Sequence, residues 1–311
     1  MNDSPIRLAE LLKRHGVHLK KGLGQNFLAD PIHLDRIVAA AELTRDDVVI
    51  EVGPGVGTLT ARLAAQAGRV VAVELDSSLL PALRETLAGH DNVAIVQGDI
   101  LQMDPGQLSM VNGQLPIVNE TPPADSGSLA IDNYPLTIDH YKVVANLPYY
   151  ITSAAIRHLL TAAPPPALLV LTVQREVAQR IVAGPPQMSL LAVSVQYSAH
   201  PEFVARLPAG AFYPPPKVDS AILRLRRRPQ PAVDAPAGET FFTVARAGFS
   251  QPRKQLHNSL KSGLSLPAEA VQALLAAAEI APQRRAETLT LEEWGRLAGA
   301  YGGQPWGASA T

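Results

Sequence analysis

The sequence predicts an α/β fold in which a doubly wound sheet domain is followed by a small all-helical domain. Two observations predict the sheet domain. Short apolar runs alternate with helical patterns from about residue 46, and these runs lack the polar and apolar alternation of a half-exposed strand. Strands of this kind are buried on both faces, as in a parallel sheet covered by helices. The third observation is the helical apolar spacing of residues 238–301, which predicts the second domain.

The elements of the sheet domain follow one another in a regular order. The strand DDVVIEVGPG runs into a glycine turn, and the next helix, TLTARLAAQAG, ends at a glycine, which is a common helix stop. The later predicted strands are RVVAVELD, NVAIVQGD, YKVVANLPYY and ALLVLTVQ, and the other helices are SSLLPALRETLAG, SAAIRHLLTA and REVAQRIVAG. Downstream, we expect AVSVQYSAHPEFVARLP and AILRLRRRP to form paired strands.

Segments rich in proline and glycine mark an insertion and a domain boundary. Residues 105–139 interrupt the order of strands and helices and predict an inserted surface loop or hairpin. The Pro/Ala stretch 229–238 predicts a linker. We therefore expect a first domain at 1–228, a helical domain at 238–301 and a flexible tail at 302–311.

Composition excludes several classes of protein. The 311 residues are 47% hydrophobic and 18% charged, which excludes collagen, a coiled coil and wholesale disorder. There is no cysteine, and the eight histidines have no spacing typical of a metal site or a catalytic triad. No apolar run approaches the roughly 18 residues of a membrane span, and the N-terminus carries charges where a signal peptide is apolar. We expect a cytoplasmic monomer with no bound metal and no membrane contact.

The charges are unevenly distributed along the chain. Residues 1–150 hold 11 Lys and Arg against 18 Asp and Glu, whereas residues 151–311 hold 16 against 10. Five of the first 11 cations precede residue 22, so two basic regions flank an acidic one. This pattern is typical of a protein that grips a polyanion, although solvated basic faces give the same counts.

A glycine turn and two carboxylates predict a cofactor site. The segment 50-IEVGPGVGTLT-60 is a strand that ends in a glycine turn, with Gly53 and Gly55 where backbone must approach a ligand closely. Glu74 ends the second strand, where a carboxylate can accept hydrogen bonds from ribose hydroxyls, and Asp99 follows the third strand. On these residues alone the ligand is a nucleotide, a nicotinamide cofactor or S-adenosylmethionine.

The end of the fourth strand, 146-NLPYY-150, favours methyl transfer to an exocyclic amine. The lone pair of an adenine amine is delocalised into the ring, so the nitrogen is a poor nucleophile until its hydrogens are drawn out of the ring plane. The Asn146 side-chain oxygen and the Pro148 carbonyl are suited to accept these two N–H groups. Tyr149 would then stack on the extruded base. The contribution of the protein is placement and hydrogen bonding.

These motifs resemble the bacterial family of small-subunit ribosomal RNA adenine dimethyltransferases. The resemblance extends from about Leu19 to Leu297, with 105–139 as a gap, and it also includes the motifs 22-GLGQNFL-28, 174-QREVAQR-180, 212-FYPPPKVDSA-221, 253-RKQLHNSL-260 and 287-ETLTLEEW-294. It implies a Rossmann-like methyltransferase domain that uses S-adenosylmethionine to dimethylate two adjacent adenosines near the 3′ end of 16S ribosomal RNA during small-subunit assembly.

The resemblance assigns roles to individual residues. It implies cofactor contacts from Asn26, Leu28, Gly53, Gly55, Glu74, Asp99 and Asn146. It implies that the target base is held by Asn146, Pro148, Tyr149 and a second aromatic residue, Phe212. The predicted RNA contacts are Lys20, Lys21, Lys217, Arg224, Arg226, Arg228, Arg253 and Lys254, with the arginines of AILRLRRRP on one face of a strand.

Two departures and three alternative functions accompany this interpretation. The 47 positions from Asp99 to Asn146 are about twice the usual family spacing, and Pro252 stands where many members have arginine. The alternatives are a related resistance-type methyltransferase for 23S ribosomal RNA, an assembly factor that acts mainly by binding and, more remotely, a nicotinamide dehydrogenase. The C-terminal motifs favour the small-subunit enzyme, and the intact NLPYY segment favours retained chemistry.

Overall fold

The computed structural model describes residues 5–105, 141–233 and 238–303 of the chain. Almost all of the predicted insertion at 105–139 and of the predicted tail at 302–311 lies outside the described residues, as does the last part of the predicted linker. Within the described residues, no helix is long and apolar enough to cross a membrane.

The strands and helices agree with most of the predicted elements. The strands are β1 Phe27–Leu28, β2 Val48–Val52, β3 Arg69–Glu74, β4 Val93–Gln97, β5 Tyr141–Asn146, β6 Leu168–Gln174, β7 Ala199–Leu207, β8 Phe212–Tyr213 and β9 Ser220–Arg227. The helices are α1 Pro5–Arg14, α2 Pro31–Ala40, α3 Thr58–Gln66, α4 Leu80–Thr86, α5 Thr152–Leu160, α6 Arg175–Val182, α7 Leu190–Ser198, α8 Gly238–Gly248, α9 Leu256–Gly263, α10 Ala268–Ala277 and α11 Leu291–Gly302.

The strand order places a ligand crevice beside β2. Among the described residues, seven strands form a sheet in the order β4-β3-β2-β5-β6-β9-β7, and β1 pairs with β8 in a separate two-stranded sheet. Strands β4, β3, β2, β5 and β6 are parallel to one another. The chain leaves β2 toward β3 on one side and returns to β5 on the other, so the carboxyl ends of β2 and β5 meet where open α/β sheets bind ligands.

The far side of the sheet differs from the prediction in two respects. Strand β9 runs antiparallel to β6, so the sheet is mixed. The segment AVSVQYS, expected to be part of a strand, forms helix α7, and β7 starts only at Ala199. Ser189 caps this helix by accepting the Ala192 N–H at 3.1 Å. The residues V-S-V-Q-Y-S alternate between apolar and polar, which is the pattern of a half-buried strand, and here tertiary packing overrides that pattern.

The chain divides into two compact units, each with its own core. The first consists of Met1–Ala178 and Glu202–Arg226, and the second of Gln179–Pro201 and Arg227–Thr311. This division differs from the predicted boundary at residue 228, because residues 179–201 belong to the second unit. Their side chains explain the difference, since Val193 and Tyr197 are buried in one cluster with Phe241 of α8.

The motif ETLTLEEW has a structural role in the second unit. Thr290 accepts the Glu293 N–H at 3.2 Å, and the Glu293 side chain accepts the Thr290 N–H at 2.8 Å, so the two residues form a capping box at the start of α11. Arg284 pairs with the same glutamate. Trp294, the next residue, is buried in the core of this unit and stacks on Phe249.

Candidate active site

An open pocket of about 800 Å³, including solvent at its mouth, lies at the carboxyl ends of β2, β3, β4 and β5. Its wall contains eight of the residues predicted from the sequence, namely Asn26, Gly53, Gly55, Glu74, Asp99, Asn146, Pro148 and Tyr149. The N-terminal segment from Leu23 to Phe27 lines the same pocket. A smaller neighbouring pocket of about 330 Å³ is lined by Leu28, and it shares Gly53 and Asn146 with the first.

The glycine turn after β2 has the backbone that the motif requires. Gly53 and Gly55 have φ angles of +69° and +62°, in the left-handed region that favours glycine. A Cβ atom on Gly55 would lie 2.6 Å from the Phe27 ring, so no side chain fits there without displacing the phenylalanine. At Gly53 a Cβ would meet no atom within 4 Å. The space beside Gly53 is therefore open to a ligand.

Glu74 is held rigidly at the end of β3. Its Oε2 accepts the Gly55 N–H at 3.0 Å and its Oε1 accepts the Asp76 N–H at 2.8 Å. Burial raises the pKa of Glu74, and the two backbone hydrogen bonds partly offset this rise. Each carboxylate oxygen retains a lone pair for a second donor, which suits a ligand with two adjacent hydroxyl groups.

Asp99 caps the short turn that follows β4. Its Oδ1 accepts the Leu101 N–H at 2.9 Å, which is the ordinary structural role of an aspartate at this position. Among the described residues, its Oδ2 has no hydrogen-bond partner. A carboxylate with one oxygen in the cap and the other available can also accept a hydrogen bond from a ligand amine.

The Asn146 amide is oriented by the N-terminal segment. Its Nδ2 donates to the Asn26 carbonyl at 2.8 Å, and the Asn26 side chain in turn donates to the Gly24 carbonyl at 3.1 Å. The amide nitrogen is therefore engaged, whereas Oδ1 has no partner among the described residues. The Pro148 carbonyl accepts the Ile151 N–H at 3.2 Å and lies 3.5 Å from the Thr152 hydroxyl, so it already has resident donors.

The aromatic residues predicted to hold the base differ in their exposure. Tyr149 lines the pocket, and its hydroxyl lies 2.6 Å from the Ser220 hydroxyl at the start of β9. Burial raises the pKa of Tyr149. Phe212 pairs with Leu28 in the small sheet, is 4% exposed and belongs to the core of the first unit, so it does not line the pocket. Tyr150 lines the pocket at 60% exposure.

Sequence reasoning missed one buried carboxyl group in the site. Glu51 lies in β2, is 1% exposed and lines the smaller pocket. Burial raises its pKa to about 8, so the group is neutral at pH 7. Its Oε2 has no hydrogen-bond partner among the described residues. The signal in the sequence was a single charged residue inside the apolar run VVIEV.

The predicted RNA contacts fall into an engaged group and an exposed group. Arg224 pairs with Glu42 and with Glu202, both at 2.6 Å, and Arg226 pairs with Glu42 at 2.8 Å. The other residues with an assigned partner are Arg228, which donates to the Gln196 carbonyl at 3.1 Å, and Lys20, which pairs with Asp76. Lys217, Arg253 and Lys254 are exposed, and Lys21 begins a short turn at Lys21–Leu23. Within the described residues Arg224 and Arg226 are thus paired with carboxylates of the same unit.

Comparison with known proteins places the chain in a family. The family model described as ribosomal RNA adenine dimethylase matches residues 16–301. A ribosomal RNA small subunit methyltransferase A from Pelotomaculum thermopropionicum is 44% identical over 97% of this chain and 98% of that protein. A protein of the same name from Dehalococcoides mccartyi is 42% identical over 95% of this chain and 93% of that protein. Another from Lysinibacillus sphaericus is 40% identical over 96% of each chain.

Two solved structures are also similar. The 23S rRNA methyltransferase ErmE is 31% identical, with a TM-score of 0.65 over 88% of this chain and 99% of that chain. A dimethyladenosine transferase from Plasmodium falciparum is 23% identical, with a TM-score of 0.66 over 87% of this chain and 95% of that chain, and so shares the fold. Both agree with a methyltransferase-type sheet for the first unit and helices toward the C-terminus.

Proposed function

Because this chain belongs to the ribosomal RNA adenine dimethylase family, we propose that it dimethylates two adjacent adenosines near the 3′ end of 16S ribosomal RNA, with S-adenosylmethionine as the methyl donor. Relatives whose names specify the small subunit, at 40% to 44% identity over nearly the whole chain, support the choice of RNA. The observation that carries the proposal is the Asn146 amide at the pocket, whose nitrogen donates to the Asn26 carbonyl while its oxygen has no hydrogen-bond partner in the described part of the chain.

The residues of the pocket fit the methyl donor. When bound, S-adenosylmethionine supplies an electrophilic methyl group on a positively charged sulfur. The open space beside Gly53 admits a ligand against the backbone, and the fixed carboxylate of Glu74 suits the two ribose hydroxyls. The Oδ2 of Asp99, to which none of the described residues donates, is an acceptor for the adenine amine of the cofactor. Asn26 and Leu28 close this side of the pockets.

Asn146 and Pro148 prepare the target nitrogen. Asn146 Oδ1, which has no partner among the described residues, accepts one N–H of the adenine amine, and the Pro148 carbonyl accepts the other in place of its long, 3.5 Å contact with the Thr152 hydroxyl. Both acceptors draw the hydrogens out of the plane of the base, so the nitrogen lone pair becomes localised and points toward the methyl donor. The protein holds the amine in this geometry without a covalent intermediate, and the rate gain comes from orientation and hydrogen bonding.

Tyr149 holds the base for this reaction. Its hydroxyl is tethered to Ser220, so the ring is fixed at the pocket wall, where stacking on an extruded adenine is favourable. The role of Phe212 as a second stacking residue stays a prediction, because its side chain is buried in the core. In the second unit, exposed Arg253 and Lys254 are proposed to contact RNA phosphates.

The resemblance to ErmE makes methylation of 23S ribosomal RNA the second candidate. The deciding experiment incubates the protein with labelled S-adenosylmethionine and either small subunits that lack the modification or protein-free 23S RNA, and maps methylated nucleotides by mass spectrometry. We expect N6,N6-dimethyladenosine at two adjacent positions near the 16S 3′ end. Transfer only to 23S RNA would establish the second candidate. Tight binding to small subunits without transfer would contradict the proposal and indicate an assembly factor. The Asn146→Ala variant controls for a contaminating methyltransferase.

A further inference from the structure

One buried carboxylate joins the N-terminal segment to the turn after β3. The Asp76 side chain is 1% exposed. Its Oδ1 accepts from the Lys20 ammonium group at 2.7 Å, from the Ser78 N–H at 3.1 Å and from the Ser78 hydroxyl at 2.7 Å. Its Oδ2 accepts from the Gln25 amide at 2.8 Å. Four donors from two distant parts of the chain therefore converge on one carboxylate.

The same contacts close the segment 20–25 into a loop. While the Gln25 amide nitrogen donates to Asp76, its Oε1 accepts the Lys20 backbone N–H at 2.8 Å. Lys20 and Gln25 are thus bound both to each other and to Asp76, and Leu23, Gly24 and Gln25 between and beside them line the large pocket. The wall that this loop contributes to the pocket depends on a partner more than fifty positions away in the sequence.

The anchor is directly connected to both functional ends of the site. On one side the Asp76 N–H donates to Glu74 Oε1. On the other, Gln25 is followed by Asn26, whose carbonyl holds the Asn146 amide. A loop that moves away from Asp76 would therefore release the carbonyl that fixes the orientation of the Asn146 amide.

From these contacts we propose that Asp76 is a positioning residue of the methyl-transfer site. It anchors the loop 20–25 over the cofactor pocket and, through the adjoining Asn26, orients the Asn146 amide. The proposal rests on the function proposed above, because it assigns Asp76 a role in that reaction. Burial raises the pKa of Asp76, but the hydrogen bonds from Lys20, Ser78 and Gln25 outweigh burial and lower the pKa to about 2. The anchor is thus ionised at every pH at which the enzyme would work.

The alternative is that Asp76 only caps the turn at Ser77–Leu79. The variant Asp76→Asn separates the two roles. Asparagine can still accept the Ser78 hydrogen bonds with its oxygen, so the cap is retained. Its NH₂ group, however, faces the donor amide of Gln25, and Lys20 loses its counter-ion. A matched control is Glu85→Gln. The exposed Glu85 also binds the N-terminal segment, through Arg14 and His15, but it does not line the pocket.

The experiment measures hydrogen exchange of the free protein, affinity for S-adenosylhomocysteine without RNA, and kcat and KM with small subunits. For Asp76→Asn we expect lost protection confined to residues 20–28, at least tenfold weaker S-adenosylhomocysteine binding and a lower kcat at saturating cofactor. The control should match the wild type in binding and kcat. Unchanged protection at 20–28 together with unchanged kcat would overturn the proposal.

A second variant covers the case in which Asp76→Asn does not fold. Gln25→Leu removes one arm of the anchor and leaves the cap intact, and it should reproduce the exchange and kcat effects; wild-type behaviour would again overturn the proposal. Failure of the proposed function has a different signature. A wild-type protein that binds no S-adenosylhomocysteine or methylates no ribosomal RNA contradicts the function, whereas the exchange experiment still tests the loop anchor.

Discussion

Replacing Glu51 with glutamine should stabilise the protein at neutral pH and have little effect in acid. The Glu51 carboxyl is 1% exposed, and its Oε2 has no partner among the described residues. Burial, with a smaller contribution from the charge of Glu74, raises the pKa of Glu51 from 4.5 to about 8. The folded protein must therefore keep this group protonated at pH values where the unfolded chain releases the proton.

The magnitude follows from the difference between the two pKa values. Below pH 4.5 the group is protonated in both states and costs nothing. Between pH 4.5 and 8 each pH unit lowers the free energy of unfolding by about 1.4 kcal/mol, so the loss is about 3 kcal/mol at pH 7 and levels off above pH 8. Glutamine does not titrate. The stability difference between Glu51→Gln and the wild type should therefore grow by about 2.5 kcal/mol from pH 5 to pH 7.

Urea unfolding followed by circular dichroism at pH 5, 6, 7 and 8 measures this difference. Other groups titrate in both proteins and cancel, and any packing difference between the two side chains is the same at each pH. Glu42→Gln is the matched control. The hydrogen bond from Arg226 lowers the pKa of Glu42, so its contribution is present above pH 4.5 and should be constant over this range. A stability difference for Glu51→Gln that does not change with pH would refute the reasoning.

Three further predictions follow from the site. Asn146→Ala should abolish methyl transfer while S-adenosylhomocysteine binding stays within about tenfold of wild type, roughly 1.4 kcal/mol; an active variant in a radiolabel assay would disprove the proposed amine activation. Glu74→Ala should weaken cofactor binding by at least tenfold in calorimetry, and unchanged affinity would contradict its ribose role. RNA affinity should fall steeply with salt, and replacing both Arg253 and Lys254 by alanine should reduce the slope of log K against log salt by about 2. Arg224→Ala, which removes an arginine already paired with carboxylates, should leave that slope unchanged.

The parts of the fold that the sequence predicts well are those with a local cause. The apolar strands β2, β3 and β5 are buried on both faces, and each is followed by a turn or helix with its own sequence signal. Glu74, Asp99 and Asn146 could be placed in one site because the carboxyl ends of parallel strands meet at one edge. Glycines in left-handed conformations were likewise predictable, since few other residues adopt them.

The missed features depend on contacts between distant residues. From the sequence alone Asp76 is an ordinary turn residue, because Lys20 and Gln25, which bind it in the fold, lie 56 and 51 positions away. Alternation placed Arg224 and Arg226 on one face of β9, but it carried no information on Glu42, which faces them. The aromatic character of Phe212 was visible in the sequence, whereas its burial is set by the pairing of β8 with β1.

The hydrogen bonds that the Pro148 carbonyl already accepts from the protein help to explain how one nitrogen can be methylated twice. After the first transfer the amine has a single N–H for two acceptors. Asn146 Oδ1 has no other partner among the described residues, and leaving a desolvated acceptor unpaired is costly, whereas the Pro148 carbonyl keeps the Ile151 N–H. The remaining N–H is therefore directed to Asn146 and the new methyl group to the Pro148 side, without any rearrangement of the protein. Unmodified and monomethylated RNA should then react at similar single-turnover rates, and a monomethyl product that accumulates would contradict this asymmetry.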